Sequence, residues 1–233
     1  MRNLRYLAFD ADDTLWENEN HFQDAEKQFQ QLLSGYGTAE QVSGELFQVE
    51  MKNLPAYGYG TKGFVLSMIE TAIRVSGGTV PAGTIGGILS LGQDILKKPV
   101  ILLPHVREVL EHLSGCYRLI LATKGDLLEQ ERKLRKSGLS EYFSHIEIMS
   151  EKNADGYRRI LDHLEISPSE FLMVGNSLKS DILPVIQLGA AAVHIPYHLI
   201  WQHEIHENPP AHEHLFKLDS IRELPELLHE NKD

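Results

Sequence analysis

Five short apolar runs limit what this chain can fold into. Tyr6–Phe9 is followed, far along the chain, by residues 119–122, 146–149, 171–174 and 191–195. Runs this short are ambiguous alone, and their neighbours decide the reading. Between them lie helix-like segments. Over residues 155–164, Tyr157, Ile160, Leu161 and Leu164 recur at i, i+3, i+4 and i+7, with Asn153 or Asp155 as a cap. Residues 129–136 stop at Ser137-Gly138, and residues 182–188 stop at Gly189. Strand alternating with helix predicts an α/β fold with a mostly parallel sheet covered on both faces.

Residues 18–98 break this pattern. They hold no strand signal and read as four helices, at 22–33, 39–51, 62–75 and 84–96. Breaks fall at Ser34-Gly35, at residues 55–60, and at Gly77-Gly78 with Pro81. The expected division is an α/β core of residues 1–17 and 99–233 with an all-helical block of 18–98 inserted after the first run. Residues 17–20 and 97–99 are candidate hinges. Pro99 and Pro104 mark the return to the core, and residues 105–114 read as a core helix. Residues 52–63, with Pro55, Tyr57 and Tyr59, read as a loop, either a plain connection or one that closes over a site.

Ligands of open α/β sheets bind beyond the carboxyl ends of the strands. After the first run comes Asp10-Ala11-Asp12-Asp13-Thr14, and after the second Thr123-Lys124-Gly125-Asp126. The third is followed by Ser150-Glu151-Lys152-Asn153, and the fourth by Gly175-Asn176-Ser177-Leu178-Lys179-Ser180-Asp181. Carboxylates, a hydroxyl and a lysine would meet on one sheet edge. That set suits a hard cation with oxygen ligands, such as Mg²⁺, together with a phosphate. Lysine supplies a point charge for a phosphate oxygen, and turn N–H groups add donors.

Asp10-x-Asp12-x-Thr14, Thr123, Lys152 and Gly175-Asn176-Ser177 with Asp181, in this order and each at a strand end, resemble the four motifs of the haloacid dehalogenase-like (HAD) hydrolase superfamily. The resemblance spans residues 6 to about 195. It implies a Rossmann-like three-layer core, with the helical insert as a cap that selects substrates. It also implies Asp10 as a nucleophile that forms an aspartyl-phosphate, and Asp12 as general acid and then base. Thr123 and the N–H groups of Lys124 and Gly125 would hold phosphate oxygens, and Lys152 would neutralise the phosphate and Asp10. Asp10, Asp12 (through its carbonyl), Asn176 and Asp181 would hold or orient Mg²⁺. The family commonly has Asp where this chain has Asn176, so weaker Mg²⁺ binding is expected. By side-chain alternation Asp13 points away from Asp10 and serves a turn or helix cap.

Other residues compete for a role. His194, His198, His203, His206, His212 and His214 crowd one segment, but no compact zinc signature appears and Pro209-Pro210 interrupts it. By the resemblance, Ile195-Pro196 ends the last core strand and a surface connection follows, with Tyr197, His198 and Trp201 as candidates for the site's rim. Trp16, Phe22, Phe64 and Met68 are candidates to face a substrate. The helical spacing of Phe64 and Met68 favours packing inside the insert.

A net charge of −11 argues against a nucleic-acid polymer or an anionic membrane as partner. One cysteine, Cys116, precludes an internal disulfide and fits a reducing cytoplasm. The opening MRNLRYLAFD reaches Asp10 too soon for a targeting segment, and no apolar stretch approaches the roughly 20 residues of a membrane span. The expected activity is Mg²⁺-dependent hydrolysis of a small phosphate ester. The alternatives are a phosphomutase, a haloacid dehalogenase, which lacks the second acid, and a catalytically quiet binding protein.

Overall fold

All five apolar runs are strands in a computed structural model that describes residues 3–206 and 212–230 of the chain. They are β1 (Tyr6–Phe9), β2 (Arg118–Lys124), β3 (Phe143–Met149), β4 (Phe171–Gly175) and β5 (Ala191–His194). A sixth, β6 (Leu215–Lys217), was not expected: two half-buried residues and an exposed lysine carry no periodic signal. Ile195-Pro196 therefore does not close the last strand of the sheet. All pairings are parallel, in the order β3-β2-β1-β4-β5-β6. The described residues form two compact units. One holds residues 3–19, Val100–Lys124 and the described part from 132 onward, and the other holds Asn20–Pro99 and Gly125–Glu131.

The second unit is helical. Its helices are α1 (Glu19–Leu32), α2 (Ala39–Tyr57), α3 (Thr61–Val75) and α4 (Ala82–Lys97). Phe29, Leu33, Leu46, Met68 and Ile88 are wholly or almost wholly buried in its core, and Phe64 packs with them, edge-on to Phe22. Phe64 and Met68 thus serve packing. Thr38 opens α2 through a reciprocal capping box with Gln41. The expected loop at 52–63 is mostly helix. Pro55 lies in the last turn of α2, where little helix remains for its missing N–H to disrupt. Gly58, at φ 69°, then ends the helix, and α3 begins at Thr61. Gly60 gives α3 no side-chain cap, so Glu129 takes that place. Its carboxylate accepts the Thr61 N–H and hydroxyl, both at 2.9 Å. Lys62 pairs with Asp126 at 2.7 Å, so 125–131 groups with these helices.

The first unit has three layers. Alternate strand residues feed two cores. Leu7, Phe9, Leu119 and Leu121 face α5 (Val106–Ser114), Leu134 of α6 (Leu127–Ser137), and Leu224 and Leu228 of α9 (Leu224–Glu230). Ala8, Ile120 and Ala122 face Tyr157, Ile160 and Leu161 of α7 (Ala154–His163) and Val185 of α8 (Leu183–Gln187). Asn153 caps α7, its side chain accepting the Gly156 N–H at 2.8 Å. Trp16, a candidate to face substrate, is completely buried in the first of these cores. No helix among the described residues is long and apolar enough to cross a membrane.

Candidate active site

β1 sits between β2 and β4, where the sheet order reverses and a parallel sheet opens a crevice. Asp10 leaves β1 there, its N–H donating to Val174 of β4 at 2.9 Å. Lys152, beyond the end of β3, is buried and donates to Asp10 and to Asp181, the latter at 2.6 Å. Asp181 is fixed from its other side. Its Oδ2 accepts the Ser177 N–H at 3.0 Å, and its carboxyl group lies over Gly175. The turn carrying it, Leu178–Ile182, is wound as a π-helix, a geometry that recurs at functional sites. The helix expected at 182–188 thus begins four residues early.

Thr14 closes the group. Its hydroxyl lies 3.0 Å from Asp10 Oδ2 and 3.2 Å from Asn176 Oδ1. His194 of β5 lies with its Nε2 3.0 Å from the Asn176 carbonyl oxygen, so that nitrogen carries the proton and donates. Burial lowers the His194 pKa, which keeps the ring neutral. Burial is also the largest influence on Asp10, raising it to about 7. Lys152 pulls it down, and Asp181 pushes it further up. For Lys152 burial favours the neutral amine, but Asp10 and Asp181 outweigh it and hold the ammonium charged above the usual lysine range.

Asp12 is turned to different partners. Its carboxylate accepts Trp16 Nε1 at 2.6 Å and grips Lys133 of α6 with both oxygens at 2.8 Å. Lys133 also donates to Asn18 Oδ1 at 2.8 Å. Asp13 takes the turn-and-cap role. At φ 62° it sits in the left-handed region, and its carboxylate accepts the N–H groups of Asn18 and Glu19 that open α1, at 2.8 and 3.1 Å. Burial, with Asp12 adding, pushes its pKa to about 8.

Thr123 is buried at the end of β2, its hydroxyl 3.4 Å from the Lys124 carbonyl. The Lys124 ammonium donates to Ser180 Oγ at 2.9 Å and to Glu204. Glu204 also accepts the hydroxyls of Ser177 and Ser180, the latter at 2.6 Å. Burial works against its charge, but Lys124 and the hydroxyls hold its pKa at about 2. Gly125 groups with the helical unit. The connection after β5 is therefore more than a surface link. Of the rim candidates, Tyr197 lies tilted against His198 and Trp201 against His203, and burial, with Asp13 and Glu17 adding, raises the Tyr197 pKa. Pro209-Pro210 lies outside the described residues. Sequence reading missed Lys133 and Glu204, which no spacing rule signals, and left Thr14 without a role.

Among the described residues no three His, Cys, Asp or Glu side chains form a metal cluster. The oxygens near Asp10 fit a hard cation instead. One Thr14 proton serves both Asp10 Oδ2 and Asn176 Oδ1, which leaves acceptor capacity on a buried carboxylate and an amide oxygen. The Asp12 carbonyl follows Asp10 by two residues. Asp181 has both oxygens engaged by Lys152 and Ser177, which suits it to orienting.

A family model described as haloacid dehalogenase-like hydrolase matches residues 4–189. A haloacid dehalogenase-like family hydrolase from Xanthomonas campestris is 36% identical, with a TM-score of 0.88 over 98% of this chain and 91% of that one. A predicted phosphoglycolate phosphatase from Haemophilus somnus is 17% identical, with a TM-score of 0.63 over 98% and 99%. L-2-haloacid dehalogenase from Xanthobacter autotrophicus, with chloropropionic acid covalently bound, is 14% identical, with a TM-score of 0.68 over 98% and 99%. No curated protein matches the chain.

Proposed function

Since this chain belongs to the haloacid dehalogenase-like hydrolases, we propose that it hydrolyses phosphate monoesters of small metabolites in the cytoplasm, with Mg²⁺ as cofactor. The observation that carries this reading is Asp12, a second carboxylate two residues from Asp10 and held by Lys133 and Trp16. A halide leaves carbon as a stable ion. An alkoxide leaving phosphorus needs a proton, and a positioned acid supplies it.

Asp10 attacks phosphorus, the P–O bond to the alcohol breaks, and the phosphoryl group is carried as an aspartyl-phosphate. Asp12 gives its proton to the departing oxygen and then takes one from the water that attacks this intermediate. Lys152 neutralises Asp10 as the phosphate dianion approaches, and Asp181 keeps Lys152 aimed. Thr123 and the Lys124 N–H hold non-transferring oxygens. Asp10, the Asp12 carbonyl and Asn176 would hold Mg²⁺, with Asp181 orienting the set. Bound there, Mg²⁺ would offset phosphate charge.

The test is phosphate release from a panel of metabolite phosphates with and without Mg²⁺, beside folded Asp10→Asn. Mg²⁺-dependent release by the wild type and none by the variant is expected. Full activity in Asp10→Asn, or chloride release from 2-chloropropionate without Mg²⁺, would overturn the proposal.

A further inference from the structure

Three of the lysines at this sheet edge are paired with carboxylates, while Lys179 donates to the His203 carbonyl. Lys152 has Asp10 and Asp181, Lys133 has Asp12, and Lys124 has Glu204. The last pair is the unusual one, because its acid comes from outside the four strand-end motifs. Glu204 ends the short turn Gln202–Glu204, and the structure anchors that turn on both sides. The Glu204 N–H donates to Trp201 at 2.8 Å, and Lys179 donates to the His203 carbonyl at 2.8 Å. The Lys124 and Glu204 side chains retain only 17% and 12% exposure, so water screens their attraction weakly.

Lys124 directly follows Thr123, on the loop that meets the phosphate under the proposed function. A lysine there, on a flexible four-carbon stem, is suited to reach a second anionic group on the substrate. Its ammonium is instead engaged by Glu204 and Ser180. The charges agree. Asp10, Asp12, Asp181 and Glu204 face three ammoniums. A divalent cation and a phosphate dianion would offset each other, and each of these three ammoniums is already matched by a carboxylate.

We infer that Glu204 determines specificity by holding Lys124 away from the substrate, which confines the site to phosphate monoesters whose alcohol is uncharged. Esters that carry a second anionic group, a carboxylate or another phosphate, are rejected. This rests on the phosphatase reading and names its substrate class. Glu204 acts through Lys124 and need not touch the substrate.

The test uses two phosphonates that cannot be hydrolysed. One, 3-hydroxypropylphosphonate, ends in a hydroxyl, and the other, 3-phosphonopropionate, ends in a carboxylate. Each is titrated calorimetrically, with Mg²⁺, into the wild type, Glu204→Gln and Glu204→Gln/Lys124→Met. The wild type should prefer the hydroxyl ligand by ~10-fold or more, the scale of one charge interaction. Glu204→Gln should shift that ratio ~10-fold toward the carboxylate, and the double variant should restore it. General damage to the fold weakens both ligands together and leaves the ratio unmoved. Equal ratios in wild type and Glu204→Gln, or no binding of either phosphonate, would overturn the inference. If the ratios behave as expected while the wild type releases phosphate from no ester, the phosphatase reading fails and the charge selectivity stands.

Discussion

At Gly175 the chain leaves no room for a side chain. A Cβ there would stand 2.3 Å from Asp181 Oδ2, inside van der Waals contact. Gly175→Ala must therefore push Asp181 off Lys152. It should cost about 1–3 kcal/mol of stability and lower kcat by more than tenfold, read by denaturant midpoint and turnover. Asn176 makes a milder prediction. Asn176→Asp adds a charge beside Asp10, so Mg²⁺ half-saturation should fall well below the wild-type value, measured by titration. Equal half-saturation would mean that this position does not set metal affinity. Asp10, Lys152 and Asp181 were legible because each follows an apolar run, and strand ends of a parallel sheet converge. Lys133 and Glu204 were not legible. They reach their partners across 121 and 80 residues, from a helix face and an irregular turn whose local pattern is that of any solvated segment.

Helix α3 takes its N-terminal acceptor from another segment. Gly60 offers no side chain, and the Glu129 carboxylate receives the Thr61 N–H and hydroxyl while lying near the helix's positive end. Glu129→Ala should cost about 1–3 kcal/mol by leaving buried donors unsatisfied. Hydrogen exchange should quicken in the first turn of α3 more than in its last. Helix α6 makes a different contribution, since Lys133 fixes the carboxylate of Asp12. Lys133→Met should lower kcat about tenfold or more with little change in KM, because it loosens the proposed acid and not the phosphate cradle. Element types were readable from periodicity, but some bounds were not. Pro55 looked like a break, yet a proline in a last turn disturbs little, and Gly58 is the real stop. The strand β6 escaped because its three residues pair only with β5, a contact that no local pattern records.

Across the whole molecule, the two charge clusters make stability and activity respond to different reagents. Glu204 has a pKa of about 2 when folded, against 4.5 unperturbed. A depressed carboxylate stabilises the fold fully above its unfolded pKa and loses that contribution as pH falls toward the folded value. The full effect is about 3 kcal/mol. The gap in unfolding free energy between wild type and Glu204→Gln should thus shrink between pH 7 and pH 3. Chelation of Mg²⁺ should abolish turnover while far-UV circular dichroism stays native, because the packed cores hold the fold without it. The position of β1 has a further consequence, for synthesis. It is the first strand made, yet its neighbours are Arg118–Leu121 and Phe171–Val174. At about 10 residues per second, roughly fifteen seconds separate its emergence from that of its second partner. For about the first eleven seconds, until Arg118–Leu121 emerge, Leu7-Ala8-Phe9 has no strand partner, and it is tethered to helices that complete their own core from nearby sequence. The nascent chain therefore carries an unpaired apolar strand from early in its synthesis, and a chaperone that shields extended apolar segments should raise its yield.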